Sequence, residues 1–254
     1  MPVKTNAHDA VVLSSDEERR ALESLVRLHH ATPVPDDEIL ANLGLFLTSK
    51  NLARLLFFCD VYQRILRHHG VILEFGVRWG QTLALLSALR GLFEPFNRHR
   101  KIVGFDTFQG FVGMGEKDGA RSGCKDGSFS VTPDYDRYLS EILEAQEKLN
   151  PMAHLRRFEL VKGDASHTVP AYFQSHPETV VSLAIFDFDL YAPTRAALEA
   201  IRPHVSKGSV LVFDELSDDI FPGETVALKE VWDLKELRIR RLPFAARLSY
   251  AEIE

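Results

Sequence analysis

Apolar positions in the first 69 residues recur with the spacing of helices. Ser15 followed by Glu18 has the form of a capping box and begins the first helical pattern. Two further patterns cover about residues 36–47 and 51–67. We therefore predict a helical N-terminal extension over residues 1–69, followed by a second unit over residues 70–254.

The second unit alternates short apolar runs with amphipathic stretches. The first five runs are apolar throughout, which is typical of parallel strands covered on both faces. Strands that alternate with helices predict a doubly wound α/β fold with a mostly parallel, seven-stranded sheet. The predicted strands are 71–75, 101–105, 158–161, 181–186, 209–213, 237–242 and 247–253, and the predicted helices are 81–93, 134–149, 168–175, 194–205 and 224–234.

One stretch, residues 107–133, does not follow this alternation and is rich in Gly, Asp and Lys. A loop of this length inside a compact domain is usually functional. It leaves the carboxyl edge of the predicted sheet, where open α/β sheets bind ligands. We predict a substrate lid, in which Phe108, Phe111 and Phe129 either contact an apolar group of the substrate or anchor the loop to the sheet.

Composition narrows the functional classes. The formal charge of −6 argues against nucleic acid as the main partner, because phosphate binding needs a basic surface. Cys59 and Cys124 form no CxxC pair, which fits a reducing cytoplasm. With no apolar signal core and no window approaching 18 apolar residues, we expect a cytoplasmic protein that does not engage a membrane.

Acidic residues stand at the ends of the first three predicted strands. Glu74 opens a turn with the spacing Gly76-xxx-Gly80, which lacks the middle glycine of a GxGxxG dinucleotide turn and so disfavours an NAD-dependent oxidoreductase. Asp106 ends the second strand, where an acid can accept hydrogen bonds from ribose hydroxyls. Asp164 follows the third strand, where it either reaches an adenine amino group or caps a helix.

A second acidic set follows the fourth and fifth strands. Asp187 and the pair Asp214–Glu215 come directly after very apolar runs, and neighbouring parallel strands would bring them together. Buried like charges repel, and a hard cation such as Mg²⁺ relieves that repulsion. We predict a metal site made by these three acids, in preference to a helix cap and solvated side chains. Asp189 shares a face with Asp187 and would contact the metal, orient substrate or act as the base.

These motifs together resemble the macrocin O-methyltransferase family, which methylates sugar hydroxyls in antibiotic biosynthesis using S-adenosylmethionine and Mg²⁺. The resemblance spans about residues 50–232. It rests on the Glu74–Gly80 turn, Asp106 with the following TFQG, the GSFSV segment, and the DFDLY and Asp214–Glu215 blocks followed by Pro222–Gly223. It implies the class I methyltransferase fold.

The resemblance also implies residue roles. Glu74, Gly76 and Gly80 would hold the methionine end of S-adenosylmethionine, and Asp106 the ribose. Asp164 would lie at the adenine, and Thr107, Ala165 and Asp187 complete the implied cofactor set. Asp187, Asp214 and Glu215 would be the metal ligands. The family commonly has two aspartates where this chain has Asp214–Glu215.

The resulting hypothesis is methyl transfer to a sugar hydroxyl of a glycosylated small molecule. Mg²⁺ would lower the pKa of one of two vicinal hydroxyls, and Asp187 or Asp189 would take the proton as the catalytic base. Two alternatives stay open: a catechol-like acceptor, and a non-catalytic nucleoside-binding module of the same fold. Relatives in the family are often oligomers, and we expect a homo-oligomer with the helical extension as its contact surface.

Overall fold

The computed structural model describes residues 15–119, 122–245 and 247–254. Residues 1–14 of the predicted extension therefore lie outside the described residues. The α-helices are α1 Asp16–His30, α2 Ser49–Arg64, α3 Gln81–Phe93, α4 Tyr135–Leu149, α5 Ala165–Ser175, α6 Tyr191–Ile201 and α7 Gly223–Val231. The strands are β1 Val71–Phe75, β2 Ile102–Asp106, β3 Phe158–Lys162, β4 Val181–Phe186, β5 Val205–Phe213, β6 Leu237–Arg241 and β7 Ser249–Ile253.

The strands form one sheet in the order β3-β2-β1-β4-β5-β7-β6. Strands β1 to β5 are parallel, whereas β7 runs antiparallel to both β5 and β6. The predicted fold class is confirmed. Strand β5 begins at Val205, earlier than predicted, because Val205 extends the pairing by lying opposite Val181.

The N-terminal helical segments differ in how they pack. Helix α1 begins at the predicted capping box. Ser15 Oγ accepts from the Glu18 backbone N–H, and Glu18 Oε2 accepts from the Ser15 backbone N–H. Within the predicted helical pattern 36–47, residues Ile39–Phe46 form a 3-10 helix that is interrupted by a kink at Asn42, whose backbone leaves helical geometry (φ −109°, ψ 16°). Helix α2 instead buries one face in the main core. The division of the chain at residue 70 stays a prediction.

Helices cover both faces of the sheet. Helices α2, α3 and α4 pack on one face, against Ile72, Ile102 and Ile185 among others. Helices α5, α6 and α7 pack on the opposite face, against Leu73, Val103 and Leu211 among others. The apolar runs in the sequence arise because alternate residues of each strand enter these two separate cores.

A row of phenylalanines fixes the level at which the central strands end. Phe105, Phe75, Phe186 and Phe213 are register partners across β2, β1, β4 and β5, with ring centroids 5.0–5.3 Å apart. The next residue in each strand therefore belongs to one row at the carboxyl edge. That row is Asp106, Gly76, Asp187 and Asp214.

The loop after β2 is tied to the fold by its own side chains. Phe108 is buried in the core, so it anchors the loop, the second of its two predicted roles. Phe111 packs with Leu190 and Phe221 in a small separate apolar cluster, to which Phe129 also adds. The lid function of the loop stays a prediction.

Within the described ranges, the helices are all too short or too polar to cross a membrane. Cys59 and Cys124 do not form a disulfide. The cytoplasmic location inferred from these residues stays a prediction.

Candidate active site

A cavity of about 880 Å³ opens at the carboxyl edge of the sheet, within the range of small-molecule sites. Every residue predicted for the site lines it except Gly80. The lining includes Glu74, Gly76, Asp106, Thr107, Asp164, Ala165, Asp187, Asp189, Asp214 and Glu215. Phe111 and Phe129 of the long loop also line the cavity. The structure thus brings together acids that are up to 141 residues apart in the sequence.

The turn between β1 and α3 needs its glycines for packing. Gly76 has φ 95°, and a Cβ there would lie 2.0 Å from the backbone carbonyl oxygen of Asp187. A Cβ on Gly80 would lie 2.4 Å from the side chain of Leu139 in α4. Gly76 therefore lets the ends of β1 and β4 meet, whereas Gly80 seats α3 against α4. Contact of either glycine with a cofactor stays a prediction.

Glu74 is a buried acid, only 1% exposed, on the wall of the cavity. Its Oε2 atom accepts no hydrogen bond from any residue that the structure describes. Burial raises the pKa of Glu74 well above its ordinary value, and the nearby negative charge of Asp187 adds to that rise. A cationic ligand beside Glu74 would supply the missing partner.

Asp106 organises the turn that it faces. Its Oδ2 atom accepts from the backbone N–H groups of Val77 (2.7 Å) and Arg78 (2.8 Å), and its Oδ1 accepts from Phe108 (2.6 Å). Three such bonds hold the β1–α3 turn and the start of the long loop on one carboxylate. A carboxylate has about four acceptor positions, so Asp106 keeps capacity for a further donor.

Three other predicted cofactor residues also have structural roles. Asp164 caps α5 by accepting from the Ser166 backbone N–H at 2.8 Å, and Ala165 is buried in the first turn of that helix. Thr107 Oγ1 donates to the Gly110 carbonyl at 2.8 Å. All three line the cavity, and their contact with a cofactor stays a prediction.

The predicted metal ligands converge. One carboxylate oxygen from each of Asp187, Asp214 and Glu215 lies within 4.8 Å of the others. Glu215 is 3% exposed, and its Oε2 accepts no hydrogen bond within the described ranges of the chain. Arg247 donates to the other oxygen of Glu215 at 2.5 Å.

A cationic side chain already contacts two of these acids. Arg54, from α2, donates to Asp187 at 2.7 Å and to Asp214 at 2.8 Å. Burial alone would lower the pKa of Arg54, but the two carboxylates raise it above its ordinary value. The guanidinium is therefore held as a cation between them.

The acids of the cluster have divergent pKa values. Burial and the charge of Asp214 raise the pKa of Asp187 to about 7, against the lowering effect of Arg54. Burial would likewise raise the pKa of Asp214, but the adjacent Glu215 carboxyl and Arg54 hold it below its ordinary value. Burial, with the negative charges of Asp189 and Asp214, raises the pKa of Glu215 well above its ordinary value.

Asp189 lies beside this cluster in a backbone conformation that is rare for a non-glycine residue, with φ 60°. Burial raises the pKa of Asp189 to about 6, and interaction with Glu215 opposes the rise. A carboxylate with a pKa near 6 is ionised at neutral pH and can accept a proton from a bound hydroxyl.

Among the site residues that the sequence analysis missed are Arg247, which pairs with Glu215, and two helical residues, Arg54 and Glu224. Glu224 is fully buried in α7, and its Oε1 accepts from the Glu215 backbone N–H at 3.0 Å. Arg54 and Glu224 are both charged residues on the buried face of their helices. Arg54 is followed on that face by Phe58, Val61 and Ile65, and Glu224 by Ala227, Leu228 and Val231. The sequence signal that could have identified these two residues is a charged position on an otherwise apolar helical face.

Comparison with known proteins agrees with this architecture. The model of a family described as a methyltransferase domain matches residues 73–216. The crystal structure of CalS11, a calicheamicin methyltransferase, is 42% identical, with a TM-score of 0.91 over 95% of this chain and 94% of that chain. An apo structure of CalS11, described as a TDP-rhamnose 3'-O-methyltransferase, is 40% identical, with a TM-score of 0.84 over 95% and 96% of the two chains.

A more distant structure, that of the O-methyltransferase NovP, is 18% identical and covers 80% of each chain with a TM-score of 0.61, which shows a shared fold. Among curated proteins, none matches the chain significantly. The resemblance to O-methyltransferases of antibiotic biosynthesis is confirmed. The chain therefore belongs to the methyltransferase family and is an O-methyltransferase of its S-adenosylmethionine-dependent class.

Proposed function

We propose that this enzyme transfers a methyl group from S-adenosylmethionine to a sugar hydroxyl of a glycosylated small molecule, with the help of Mg²⁺. The observation that carries the proposal is one cavity in which the Glu74–Asp106 side meets the Asp187–Asp214–Glu215 cluster. A donor and a metal-oriented acceptor can occupy such a cavity together.

The methyl donor fits the first side of the cavity. S-adenosylmethionine carries an ammonium group, which suits the unpartnered oxygen of the buried Glu74. Its ribose hydroxyls are donors, which suit the remaining acceptor capacity of Asp106. Gly76, Thr107, Asp164 and Ala165 would form the rest of this binding surface.

The metal fits the second side. Three carboxylates with nearby oxygen atoms are the hard ligands that Mg²⁺ prefers, and the unpartnered Oε2 of the buried Glu215 is left for such a cation. Asp187, Asp214 and Glu215 would hold the ion. A bound Mg²⁺ supplies a Lewis acid that lowers the pKa of a sugar hydroxyl and fixes its orientation.

Asp189 is the better of the two candidate bases. Asp187 is engaged with Arg54 and belongs to the proposed ligand set. Asp189 lines the same cavity, and its pKa of about 6 leaves it ionised at neutral pH. It would accept the hydroxyl proton as the methyl group is transferred.

The lining of the cavity carries positive charge as well as acids. Lys50, Arg78 and Arg247 all contribute to its lining. Since CalS11 is described as acting on TDP-rhamnose, a sugar that bears a diphosphate is the first acceptor to test. Basic side chains at the lining are suited to a diphosphate.

Self-association is the second part of the proposal. Segment 16–30 contains no buried residue, and large apolar side chains are exposed along it and along Ile39–Phe46. They are Leu22, Val26, Leu28, Leu40, Leu43 and Leu45. Clusters of exposed large apolar side chains mark interaction sites, and we propose that these residues form a homo-oligomer contact.

The test begins with calorimetric titration of S-adenosylmethionine in the presence and absence of Mg²⁺. Methyl transfer to TDP-rhamnose is then followed by mass spectrometry, with EDTA-treated enzyme and Asp214→Asn as controls. We expect transfer that EDTA abolishes and Mg²⁺ restores. Absent S-adenosylmethionine binding would reject the donor, and transfer unchanged by EDTA would reject the metal.

A further inference from the structure

Arg54 lies against the acids of the proposed metal site. Its two terminal nitrogens donate to different acids, Nη2 to Asp187 and Nη1 to Asp214. Nη2 also donates to Thr82 Oγ1 at 3.3 Å. The guanidinium thus bridges two of the three carboxylates that would bind the ion.

The Arg54 guanidinium relieves the same repulsion between carboxylates from which a metal ion was predicted. Asp187 and Asp214 repel each other, and a cation between them removes that repulsion. Arg54 supplies one positive charge and two charge-assisted hydrogen bonds in a largely buried setting. A divalent ion bound to the same oxygens would face the guanidinium charge directly.

The backbone that carries Arg54 is firmly placed. Helix α2 buries Phe57, Phe58, Val61 and Tyr62 completely in the core. The Arg54 side chain extends from this anchored helix to the cavity, where it is 26% exposed. Release of the acids therefore requires rotation of one side chain rather than movement of the helix.

We propose that Arg54 is a displaceable internal counter-ion of the metal site. It neutralises Asp187 and Asp214 in the metal-free protein, and a divalent cation binds only as Arg54 gives up both contacts. The observed association constant for the metal is then the intrinsic constant multiplied by the fraction of molecules in which Arg54 has left the acids. This inference rests on the metal site of the proposed function.

The test uses the full chain and Mn²⁺, whose free form is counted by electron paramagnetic resonance. Arg54→Met removes the charge and both contacts while keeping an extended side chain. We expect it to bind Mn²⁺ at least tenfold more tightly than the wild type. Metal-free Arg54→Met should also melt at a lower temperature than the wild type, and saturating Mn²⁺ should raise its melting temperature by more.

Matched controls separate this effect from a general change in α2. Arg64 lies in the same helix and also pairs with two acids, Asp60 and Glu252, away from the cavity. Arg64→Met should leave Mn²⁺ affinity unchanged. Asp214→Asn should lose Mn²⁺ binding, which assigns the measured ion to this site.

Each outcome decides the inference. Equal or weaker Mn²⁺ binding by Arg54→Met than by the wild type overturns it while leaving the metal site intact. No Mn²⁺ binding by any variant rejects the metal site and the inference together. If Arg54→Met does not fold, Arg54→Lys is used, because a single ammonium cannot bridge both acids as a planar fork does. Arg54→Lys binding Mn²⁺ no more tightly than the wild type then overturns the inference.

Discussion

Asp118, in the long loop, accepts a hydrogen bond at 2.5 Å from the backbone N–H of Tyr191, at the start of α6. The other oxygen of Asp118 accepts from the Gly115 backbone N–H at 2.7 Å. Asp118 is 3% exposed, so one buried carboxylate joins the loop to the segment that carries Asp189.

We expect Asp118→Ala to lower the free energy of unfolding by about 2 kcal/mol, because it removes the acceptor from the partly buried Tyr191 N–H. Urea unfolding measures this change. The control is Lys117→Ala, which removes an exposed ion pair with Glu230 and should cost under about 0.5 kcal/mol. Equal effects of the two substitutions would contradict the anchoring role of Asp118.

Gly76→Ala should destabilise the protein by at least about 4 kcal/mol, since its Cβ would overlap the Asp187 carbonyl and separate the ends of β1 and β4. Thermal and urea unfolding provide the measurement. Gly113→Ala is the matched control, because Gly113 also has a positive φ (71°) but faces open space. Its expected cost is about 1–2 kcal/mol, from backbone strain alone. A small effect at Gly76 would show that the two strand ends can separate freely.

Asp106→Asn should weaken S-adenosylhomocysteine binding by more than tenfold in calorimetry. A carboxamide accepts hydrogen bonds only through its oxygen. Its NH2 group would therefore face backbone N–H donors, either those of Val77 and Arg78 or that of Phe108, and could not bond to them. Asp136→Asn, which alters an exposed pair with Lys162, should leave binding unchanged. Unaltered affinity in Asp106→Asn would remove Asp106 from the proposed donor site.

Glu94 provides a stability test that depends on pH. Burial alone would raise the pKa of Glu94, but hydrogen bonds from Arg100, Asn97 and Tyr62 together hold it below its ordinary value. A depressed carboxyl pKa contributes stability above the unfolded-state value, about 4.3, and this contribution is lost as the pH falls through the folded-state value.

We therefore expect Glu94→Gln to be about 3 kcal/mol less stable than the wild type at pH 7, because it leaves the buried Arg100 without its carboxylate. The difference should narrow as the pH is lowered below about 4. Unfolding is measured across this range, with Glu144→Gln, in an exposed pair with Arg156, as the control. A difference that does not change with pH would contradict an ionic role for Glu94.

The double variant Leu40→Asp/Leu43→Asp should reduce the assembly size measured by light scattering. Both leucines are more than half exposed, and charges there would oppose contact between copies. Leu149→Asp, at an 86% exposed position in α4, should leave the assembly unchanged. A wild-type chain that is monomeric at every concentration would reject the proposed contact.

Much of the site was predictable because parallel strands align their ends. The runs that end at Phe105, Phe186 and Phe213 are each followed by an acid, and the register then places those acids in one row. Secondary structure was harder to predict where the local signal was weak. Asn42 leaves helical geometry within Ile39–Phe46, and the sequence pattern there does not separate a 3-10 from an α-helix.

Hydrophobic periodicity indicated most of the helices, the strands and the acids that follow the strands, because these depend on residues close together in the sequence. Only the tertiary structure placed Arg54 between Asp187 and Asp214, which are 133 and 160 residues away. It also showed that Gly76 is packed against Asp187. Such contacts depend on how a helix lies over the sheet, and local sequence patterns carry no information about that three-dimensional arrangement.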